Sequence, residues 1–360
     1  MHALHLLASA DRRGAEVFGS QLAERLGASG FRNDLVALSA AHDPAAGLPV
    51  EVLPALRKVG ALRELRRRAR GADVVLGHGS HGLVAGTLAT VGTRTPLVYR
   101  SIGDPTYWGS SRARRARVGI QLRRAARVTA LWPAAADAIA AAYGVPRHRI
   151  EVVPNAADER RFPEPDPARR AAARTTLGLD AHPSAPVILA IGALSPEKRV
   201  GLAIQAVAAL PDGLLLIAGD GPERASIEAQ AAELLPRRHR ILGSVDEVGP
   251  LYDAADVVVL TSATEGQPGV AIEAGLSARP LVATDVGGVS SVVVHGQTGV
   301  LVPAEATPED LAAALTRALA EADALGGAAR ARCLADFTLT VVAERFAAVL
   351  TDAVRTGRRG

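Results

Sequence analysis

Short runs of apolar, mostly β-branched residues alternate along this chain with longer amphipathic segments. Seven runs in the first half predict β-strands: ALHLLA, RNDLVAL, VEVLP, DVVLGH, PLVYRS, RVTALW and IEVVPN. Six runs in the second half do the same: PVILAIG, GLLLIAG, HRILGS, DVVVLTS, RPLVATD and GVLVP. Strands that alternate with helices favour parallel sheets built from βαβ units. The runs are apolar throughout, which is typical of strands covered by helices on both faces.

A break in this pattern lies near residues 160–185. The stretches RRFPEPDPARR and GLDAHPSAP are rich in proline and carry no strand pattern, so we predict an interdomain linker there. The sequence therefore predicts an α/β protein with two Rossmann-like, doubly wound parallel-sheet domains, at residues 1–175 and 176–336, that face each other across a cleft. In such folds the ligand binds at the carboxyl ends of the strands.

Charge divides the chain into a basic and an acidic half. Residues 1–180 hold 27 Lys and Arg against 16 Asp and Glu, a balance of +11, and the remainder holds 14 against 21, a balance of −7. This favours an anionic partner for the first domain, with arginine-rich background drift as the alternative. Seven basic residues lie in each of the segments 57–70 and 112–127. They suit an anionic membrane surface, a phosphorylated acceptor or a solvated face, and their lack of interleaved aromatics argues against nucleic acid.

Several features bear on the location of the protein. Cys333 is the one cysteine, so no internal disulfide can form, which fits a reducing cytoplasm. No apolar run reaches the roughly 20 residues of a membrane span. The N-terminal MHALHLLASADRRGAE reads as a first strand rather than a secretory signal. We therefore expect a cytoplasmic protein, either free or peripheral at the inner face of the membrane.

The stretch EGQPGVAIEA places two carboxylates around a turn between a predicted strand and a predicted helix. Glu265 and Glu273 flank a segment whose residues are Gly266, Gln267, Pro268, Gly269 and Val270. That segment can present successive backbone N–H groups at the helix start, which is an anion site. A bound anion would repel nearby carboxylates, so we expect the two glutamates to bind hydroxyls of the same ligand. A ligand with phosphates in the middle and sugar hydroxyls at both ends is a nucleotide-sugar. The alternative is that one glutamate caps the helix or pairs with Arg279.

Two other strand-to-helix turns carry candidate residues. ALSPEKR places Lys198 and Arg199 early in a predicted helix, where cations oppose the helix dipole unless an anion such as phosphate compensates. A solvated pair is the alternative. Gly14 opens the first helix, but full G-x-G-x-x-G spacing is absent, which weakens a dinucleotide interpretation. His78 and His81 have no Cys or carboxylate at ligand spacing, so we predict no metal site.

Together these motifs resemble the retaining glycosyltransferases of the GT-B fold, in the large group known as family 4. The resemblance spans most of the chain and is strongest from PVILAIGALSPEKR to TGVLVP. EGQPGVAIEA is similar to the paired-glutamate signature of that family, and YGVPRHRIEVVPNAADERRF resembles its interdomain passage. The resemblance implies a nucleotide-sugar donor (a UDP-, GDP- or other NDP-sugar), no cofactor, and a final helix in residues 337–360 that crosses back to the first domain. The acceptor stays open as a sugar, lipid-linked or small-molecule acceptor.

The resemblance also implies roles for individual residues. Lys198 would neutralise the phosphate charge as the leaving group departs, and Glu265 would hold the hydroxyls of the transferred sugar. Glu273 would bind the ribose hydroxyls, and the amides of Gly269 and Val270 would face the diphosphate. No metal is implied, because the lysine and the helix amides stabilise the charge.

Further positions either follow the family pattern or depart from it. Gly14 would lie over the diphosphate, and Val245 would border the base. Ala193 stands where the family usually has arginine, and we expect Arg199 to supply the lost charge. Residues 289–291 are Val-Ser-Ser where Pro-Glu is often found, and the histidine that often follows the strand matched by PLVYRSIGDP is missing.

Two other function classes remain open on the sequence. One is a sugar-nucleotide epimerase or hydrolase on the same fold, and the other is a non-catalytic sugar-nucleotide binding module, which Ala193 suggests. A nicotinamide oxidoreductase is disfavoured by the incomplete glycine fingerprint.

Overall fold

A computed structural model describes residues 1–12, 14–43, 45, 47–53, 59–103, 105, 111–179 and 184–357. The chain forms two compact units: Met1–Ala156 with Leu339–Gly360, and Ala157–Thr338. The first unit holds a seven-stranded sheet and the second a six-stranded sheet. Each of the thirteen predicted strands is present, so the prediction of two Rossmann-like parallel-sheet domains is confirmed.

The first unit begins with a strand and then alternates strands and helices. Its strands are β1 (His2–Leu7), β2 (Arg32–Ala37), β3 (Glu51–Val52), β4 (Val74–His78), β5 (Leu97–Arg100), β6 (Arg127–Ala130) and β7 (Ile150–Val152). Its helices up to this point are α1 (Gly14–Ala28), α2 (Val59–Gly71), α3 (Gly79–Thr90), α4 (Arg112–Arg124) and α5 (Pro133–Tyr143). The sheet order is β3-β2-β1-β4-β5-β6-β7, and all neighbours are parallel.

Helices cover both faces of this sheet, which explains why its central strands are mostly apolar and buried. Leu65 of α2, Leu83 of α3, Leu122 of α4 and Ile139 of α5 are buried in one core with residues of the strands. Phe18 of α1 belongs to a second core, together with other strand residues. A strand with one core on each side has no solvent-facing side, so apolar residues are favoured on both faces.

The second unit repeats the alternation. Its strands are β8 (Val187–Ile191), β9 (Leu214–Ala218), β10 (His239–Gly243), β11 (Val257–Leu260), β12 (Leu281–Thr284) and β13 (Gly299–Val302). Its helices are α6 (Pro167–Thr176), α7 (Val200–Ala208), α8 (Arg224–Leu234), α9 (Gly249–Ala254), α10 (Gly269–Leu276), α11 (Val289–Val292), α12 (Pro308–Ala320) and α13 (Ala322–Asp336). The sheet order is β10-β9-β8-β11-β12-β13.

The proline-rich stretch predicted to be a linker contains α6 instead. The Asp166 side chain accepts hydrogen bonds from the amides of Ala168 and Arg169, and a proline stands in the first turn, as is usual at a helix start. Arg174 of α6 forms an ion pair with Asp256 at 2.7 Å, and α6 packs on α9. The prolines here begin a helix of the second unit, and the chain passes between the units at Ala156.

The last helix, α14 (Leu339–Gly357), belongs to the first unit. It packs on α1, where the Phe18 and Phe346 ring centroids are 6.2 Å apart. Asp352 pairs with Arg127. In the part of the chain described by the structure, no helix has both the length and the apolar character that crossing a membrane requires.

Candidate active site

The carboxyl ends of the parallel strands in the second unit bring the loops after β8, β9, β10, β11 and β12 to one edge of the sheet. The segment singled out by its two glutamates follows β11 and enters α10. Pro268 is buried at the N-cap of α10, Gly269 is exposed, and Val270 is half-buried. The first amides of a helix have no partner within it and carry partial positive charge. The start of α10 therefore offers the anion site that the sequence predicted.

Glu265 lies beside this helix start and is held by a cation and a hydroxyl. Its Oε1 accepts a hydrogen bond from Lys198 Nζ at 2.5 Å and another from Ser262 Oγ at 2.6 Å. The Glu265 side chain is only 9% exposed, and that of Lys198 is 26% exposed. The structure thus joins the two predicted catalytic residues in one ion pair. A partly exposed lysine can exchange this partner for a phosphate oxygen.

Lys198 does not lie early in a helix, and that prediction is wrong. Pro196–Lys198 form a single 3₁₀ turn, and Arg199 has a left-handed backbone with φ of 48° before α7 begins at Val200. Left-handed backbone is costly for a residue other than glycine and persists only where its surroundings impose it. The turn presents Lys198 towards the loop after β11 rather than along the axis of α7.

Arg199 fastens two loops together. Its guanidinium donates hydrogen bonds to the carbonyl oxygens of Thr261 at 2.7 Å, Ser262 at 3.0 Å and Ala304 at 2.8 Å. Thr261 Oγ1 donates back to the carbonyls of Lys198 and Arg199. These bonds give Arg199 a structural role. The guanidinium keeps its positive charge and two further N–H groups, so its role in donor binding stays a prediction.

Glu273 lies one turn inside α10, close to the helix start. A Cβ atom added at Gly269 would lie 3.9 Å from Glu273 Oε1. Tyr252 Oη donates a hydrogen bond of 2.7 Å to Glu273 Oε2. Burial raises the pKa of Glu273 above its usual value, and the hydrogen bond from Tyr252 opposes this. Burial and the neighbouring carboxylate raise the pKa of Tyr252, so the phenol stays a donor.

Arg279 was the alternative partner for a glutamate. Its guanidinium donates to the carbonyl of Tyr252 at 2.9 Å and to that of Asp253 at 3.2 Å. It therefore anchors the end of α9, and the carboxylate of Glu273 is paired with Tyr252 instead.

The glycine loop after β12 is locked onto the glutamate loop. Gly287 has φ of 57°, and a Cβ atom there would lie 1.8 Å from the Glu265 carbonyl oxygen. The Gly288 amide donates to the Gly266 carbonyl at 2.6 Å. Gln267, only 4% exposed, donates through Nε2 to Ser291 Oγ at 2.8 Å. The serines that replace the usual Pro-Glu thus include one that holds Gln267.

Two further glycine turns complete this edge of the sheet. A Cβ atom on Gly219 would lie 1.8 Å from the Gly192 carbonyl oxygen, and one on Gly221 would lie 2.4 Å from that of Leu194. These contacts allow only glycine and pack the loops after β8 and β9 together. Ala193 is exposed between them. Val245, in the loop after β10, is partly buried against the core of the unit.

In the first unit, Gly14 is the first residue of α1 and is exposed, and a Cβ atom added to it would have no described neighbour within 4 Å.

The two histidines that the sequence singles out lie apart in their surroundings. His78 ends β4 and is buried, and its Nε2 lies 3.3 Å from Nδ1 of His5. Burial lowers the pKa of His5 to about 4 and that of His78 well below its usual value. His81 is exposed on α3. Among the described residues, no group of three or more His, Cys, Asp and Glu side chains could hold a metal ion.

Sequence reasoning missed the residues that support the predicted ones. Tyr252, Ser262 and Ser291 each bond to a residue of the glutamate segment. Ser262 stands three residues before Glu265, and its polar character directly after an apolar strand was a usable signal. Tyr252 and Ser291 come from other segments, and nothing in their local sequence points to Glu273 or Gln267.

Family profiles match both halves of the chain. Residues 13–156 match the family described as Glycosyl transferase 4-like domain, and residues 185–321 match Glycosyl transferases group 1. These matches cover 144 and 137 of the 360 residues, which together exceed half of the chain.

Two relatives are similar over about half of the chain. The 2-deoxystreptamine glucosyltransferase of Streptomyces kanamyceticus is 38% identical over 179 residues, which are 48% of this chain and 46% of that protein. The D-inositol 3-phosphate glycosyltransferase of Nocardia farcinica is 37% identical over 197 residues, which are 51% of this chain and 42% of that protein. The matched region therefore spans less than half the length of either relative.

Solved structures are similar over nearly the whole chain. HepE of Anabaena in complex with UDP has a TM-score of 0.87 and 24% identity, and the match covers 98% of this chain and 100% of that one. The sucrose-phosphate synthase of Thermosynechococcus elongatus has a TM-score of 0.79 and 22% identity, with 99% and 100% covered. At this identity the likeness shows the fold. The two profiles and this fold show that the chain belongs to the glycosyl transferases group 1 family and has the GT-B fold.

Proposed function

We propose that this protein is a metal-independent, retaining glycosyltransferase that moves a sugar from a nucleotide-sugar to a hydroxyl-bearing acceptor. One observation carries the proposal. Lys198 and Glu265 form an ion pair beside the start of α10, and Glu273 lies over the same helix start. A cation from the turn after β8, together with the helix amides and two carboxylates of the segment after β11, matches the parts of a nucleotide-sugar.

The diphosphate takes the amides of Gly269 and Val270 as its hydrogen-bond donors. Lys198 exchanges Glu265 for a phosphate oxygen, since the ammonium is partly exposed and forms a stronger pair with a more highly charged anion. Glu265 then accepts hydrogen bonds from the hydroxyls of the transferred sugar while Ser262 keeps it in place. Glu273 accepts hydrogen bonds from the ribose.

During transfer, the bond between the anomeric carbon and the diphosphate oxygen breaks, and a bond to the acceptor oxygen forms. The acceptor hydroxyl passes its proton to the departing diphosphate oxygen, which leaves with the bonding electrons from the same face of the sugar that the acceptor attacks. Lys198 and the start of α10 stabilise the negative charge that develops on the diphosphate. The Glu265 carboxylate stabilises the positive charge that develops on the sugar ring. These fixed charges supply the stabilisation that a metal ion gives in other enzymes.

The comparisons favour particular molecules for a first test. Solved neighbours hold UDP or UDP-glucose, which supports a UDP-sugar as donor. The names of the two relatives contain 2-deoxystreptamine and D-inositol 3-phosphate. Both molecules are six-membered carbocyclic polyols, so we include cyclitols and their phosphates among the acceptors to be tested.

A donor assay with product analysis tests this proposal. The full chain is first screened by thermal shift against UDP, GDP and their sugars, where a ligand at 100 times its Kd stabilises by about 2.7 kcal/mol. The stabilising donor is then incubated with and without acceptors in the presence of EDTA. Transfer that needs an acceptor, resists EDTA and keeps the anomeric configuration by NMR supports the proposal.

The other outcomes identify the competing functions. An isomerised sugar without acceptor indicates an epimerase, and free sugar with equal nucleotide release indicates a hydrolase. Donor binding without any turnover across the acceptor panel indicates a binding module. Loss of transfer in EDTA with recovery by a divalent metal overturns the metal-independent mechanism.

A further inference from the structure

Three helices on one face of the first unit carry an unusual distribution of charge. α3 packs against both α2 and α4. α2 holds five arginines and one glutamate, α4 holds six arginines and no acid, and α3 holds no charged residue. Eleven arginines against one glutamate give the three helices a balance of +10. The whole first unit holds 26 Lys and Arg against 13 Asp and Glu, and the second unit holds 15 against 24.

The uncharged helix between the two arginine helices exposes an apolar stripe. The side chains of Val84 and Leu88 on α3 are 40% and 42% exposed, and that of Val91, the residue directly after the helix, is 39% exposed. Their spacing of four and three residues places them on one side of α3. The opposite side lies tight on the sheet, where a Cβ atom on Gly82 would come 2.8 Å from the Gly77 carbonyl carbon. The stripe is therefore a free outer face of a well-packed helix.

Exposed apolar side chains concentrate on this face. Eight large apolar side chains among the described residues are exposed, and four of them are Val84, Leu88, Val91 and Ile120. Ile120 belongs to α4 and is the most exposed of the eight, at 55%. Single exposed apolar residues are ordinary, but a group of them with a charged rim marks an interaction surface.

The arginines of α4 are available to a partner. Arg112, Arg114, Arg115, Arg117 and Arg124 are exposed, and the described part of the chain gives none of them an ion pair. The arginines of α2 are more engaged. Glu64, the one acidic residue of α2, forms ion pairs with Arg67 and Arg68. Arg66 donates a hydrogen bond to the Val91 carbonyl and so connects α2 to the end of α3. The free positive charge is therefore greatest on the α4 side of the stripe.

We propose that the α2–α3–α4 face binds an anionic lipid surface. Val84, Leu88, Val91 and Ile120 enter the boundary between headgroups and acyl chains, and the arginines contact lipid phosphates. A soluble phosphorylated molecule would use the arginines but would gain nothing from the apolar stripe. Nucleic acid would take stacking aromatic residues, and these three helices contain none. This inference is independent of the transfer chemistry.

Vesicle sedimentation of the full chain tests it. Vesicles of phosphatidylcholine are compared with vesicles that also contain phosphatidylglycerol, at low and high salt. We expect binding that needs the anionic lipid and weakens with salt. Replacing Arg114, Arg115 and Arg117 together by Ala should weaken it on the order of a hundredfold, at about fivefold per arginine. Leu88→Glu should weaken it about tenfold or more, because it removes apolar contact and adds a like charge to the lipid surface.

Leu334→Glu is the matched control. Leu334 is also 42% exposed but lies on α13 of the second unit, so its substitution should leave vesicle binding unchanged. Circular dichroism and thermal melting establish that the variants are folded. No binding to anionic vesicles overturns the proposal. Binding that the arginine variant loses but Leu88→Glu retains also overturns it, since the face would then be an electrostatic site without lipid insertion.

Discussion

The two glutamates of the candidate site have different hydrogen-bond partners. Glu265 is paired with the ammonium of Lys198 and also accepts a hydrogen bond from Ser262. Glu273 is held by the neutral hydroxyl of Tyr252, and burial raises its pKa. One carboxylate is compensated by an ammonium, and the other by a neutral donor. In the proposed mechanism the first is an exchangeable ion pair and the second accepts hydrogen bonds from the ligand.

The largest expected effect lies at the Glu265 end. Lys198→Ala should lower kcat about a hundredfold to a thousandfold, because a preorganised group that stabilises developing charge contributes about 3 to 4 kcal/mol. Steady-state kinetics with saturating donor measure it. Arg317→Ala is the control, since Arg317 is an exposed cation of the same unit that pairs with Glu321. A turnover within about threefold of the original protein would remove Lys198 from the phosphate site.

Glu265→Gln should lower kcat about tenfold to a hundredfold and change the donor KM less. In the proposed mechanism the carboxylate faces a sugar ring that gains positive charge in the transition state, so its loss acts on the chemical step. Each charge-assisted hydrogen bond is worth about 1.5 to 3 kcal/mol. The comparison with Glu273→Gln decides the matter, and equal kinetic profiles for the two variants would contradict separate roles.

Glu273→Gln should raise the donor KM about tenfold and change kcat less, because in the proposed mechanism Glu273 binds the ribose, which does not change during the reaction.

Tyr252→Phe should raise the donor KM by a smaller factor, since Glu273 keeps its charge but loses the group that orients it. A fall in kcat that exceeds the rise in KM in either variant would place Glu273 at the reacting sugar instead.

Replacing the two glutamates by glutamine should change the stability of the ligand-free protein in opposite directions at pH 7. A carboxyl group whose pKa is raised in the folded state costs stability at a pH above its unfolded pKa, and the cost vanishes below that value. Glu273→Gln should therefore raise the Tm of the ligand-free protein at pH 7 and leave it unchanged near pH 4. Glu265→Gln should lower the Tm at pH 7, because it leaves the Lys198 ammonium without its partner. Equal shifts of both variants at pH 7 would show that their surroundings are alike.

The smallest effect is expected at Ala193. Its side chain is exposed, so Ala193→Arg should change the free energy of unfolding by less than about 0.5 kcal/mol. The new guanidinium can add to the charge of Lys198 and should raise the affinity for the donor by a few-fold at most. Thermal melting and a donor titration measure both quantities. A collapse of folding would show that the side chain of residue 193 points into a packed region of the loop after β8.

Local sequence patterns were sufficient for much of the fold. Each apolar run became a strand, because a run covered by helices on both faces has no other way to bury its residues. The pattern failed at α6, where the prolines that begin a helix resemble those of a linker. Proline interrupts a helix in its interior but is favoured in the first turn, and the position of a helix start is hard to infer from proline alone.

The sequence by itself determined which segments form strands, the turn between two glutamates, and a lysine near a second turn. The tertiary structure decided how these residues are used. Arg199, which the sequence predicts to supply charge at the donor site, also holds three carbonyls from two other loops. Tyr252 and Ser291 reach Glu273 and Gln267 across 21 and 24 residues of chain. Secondary structure follows from short periods that one segment contains, whereas the partner and the pKa of a side chain depend on loops that meet only when the sheet forms.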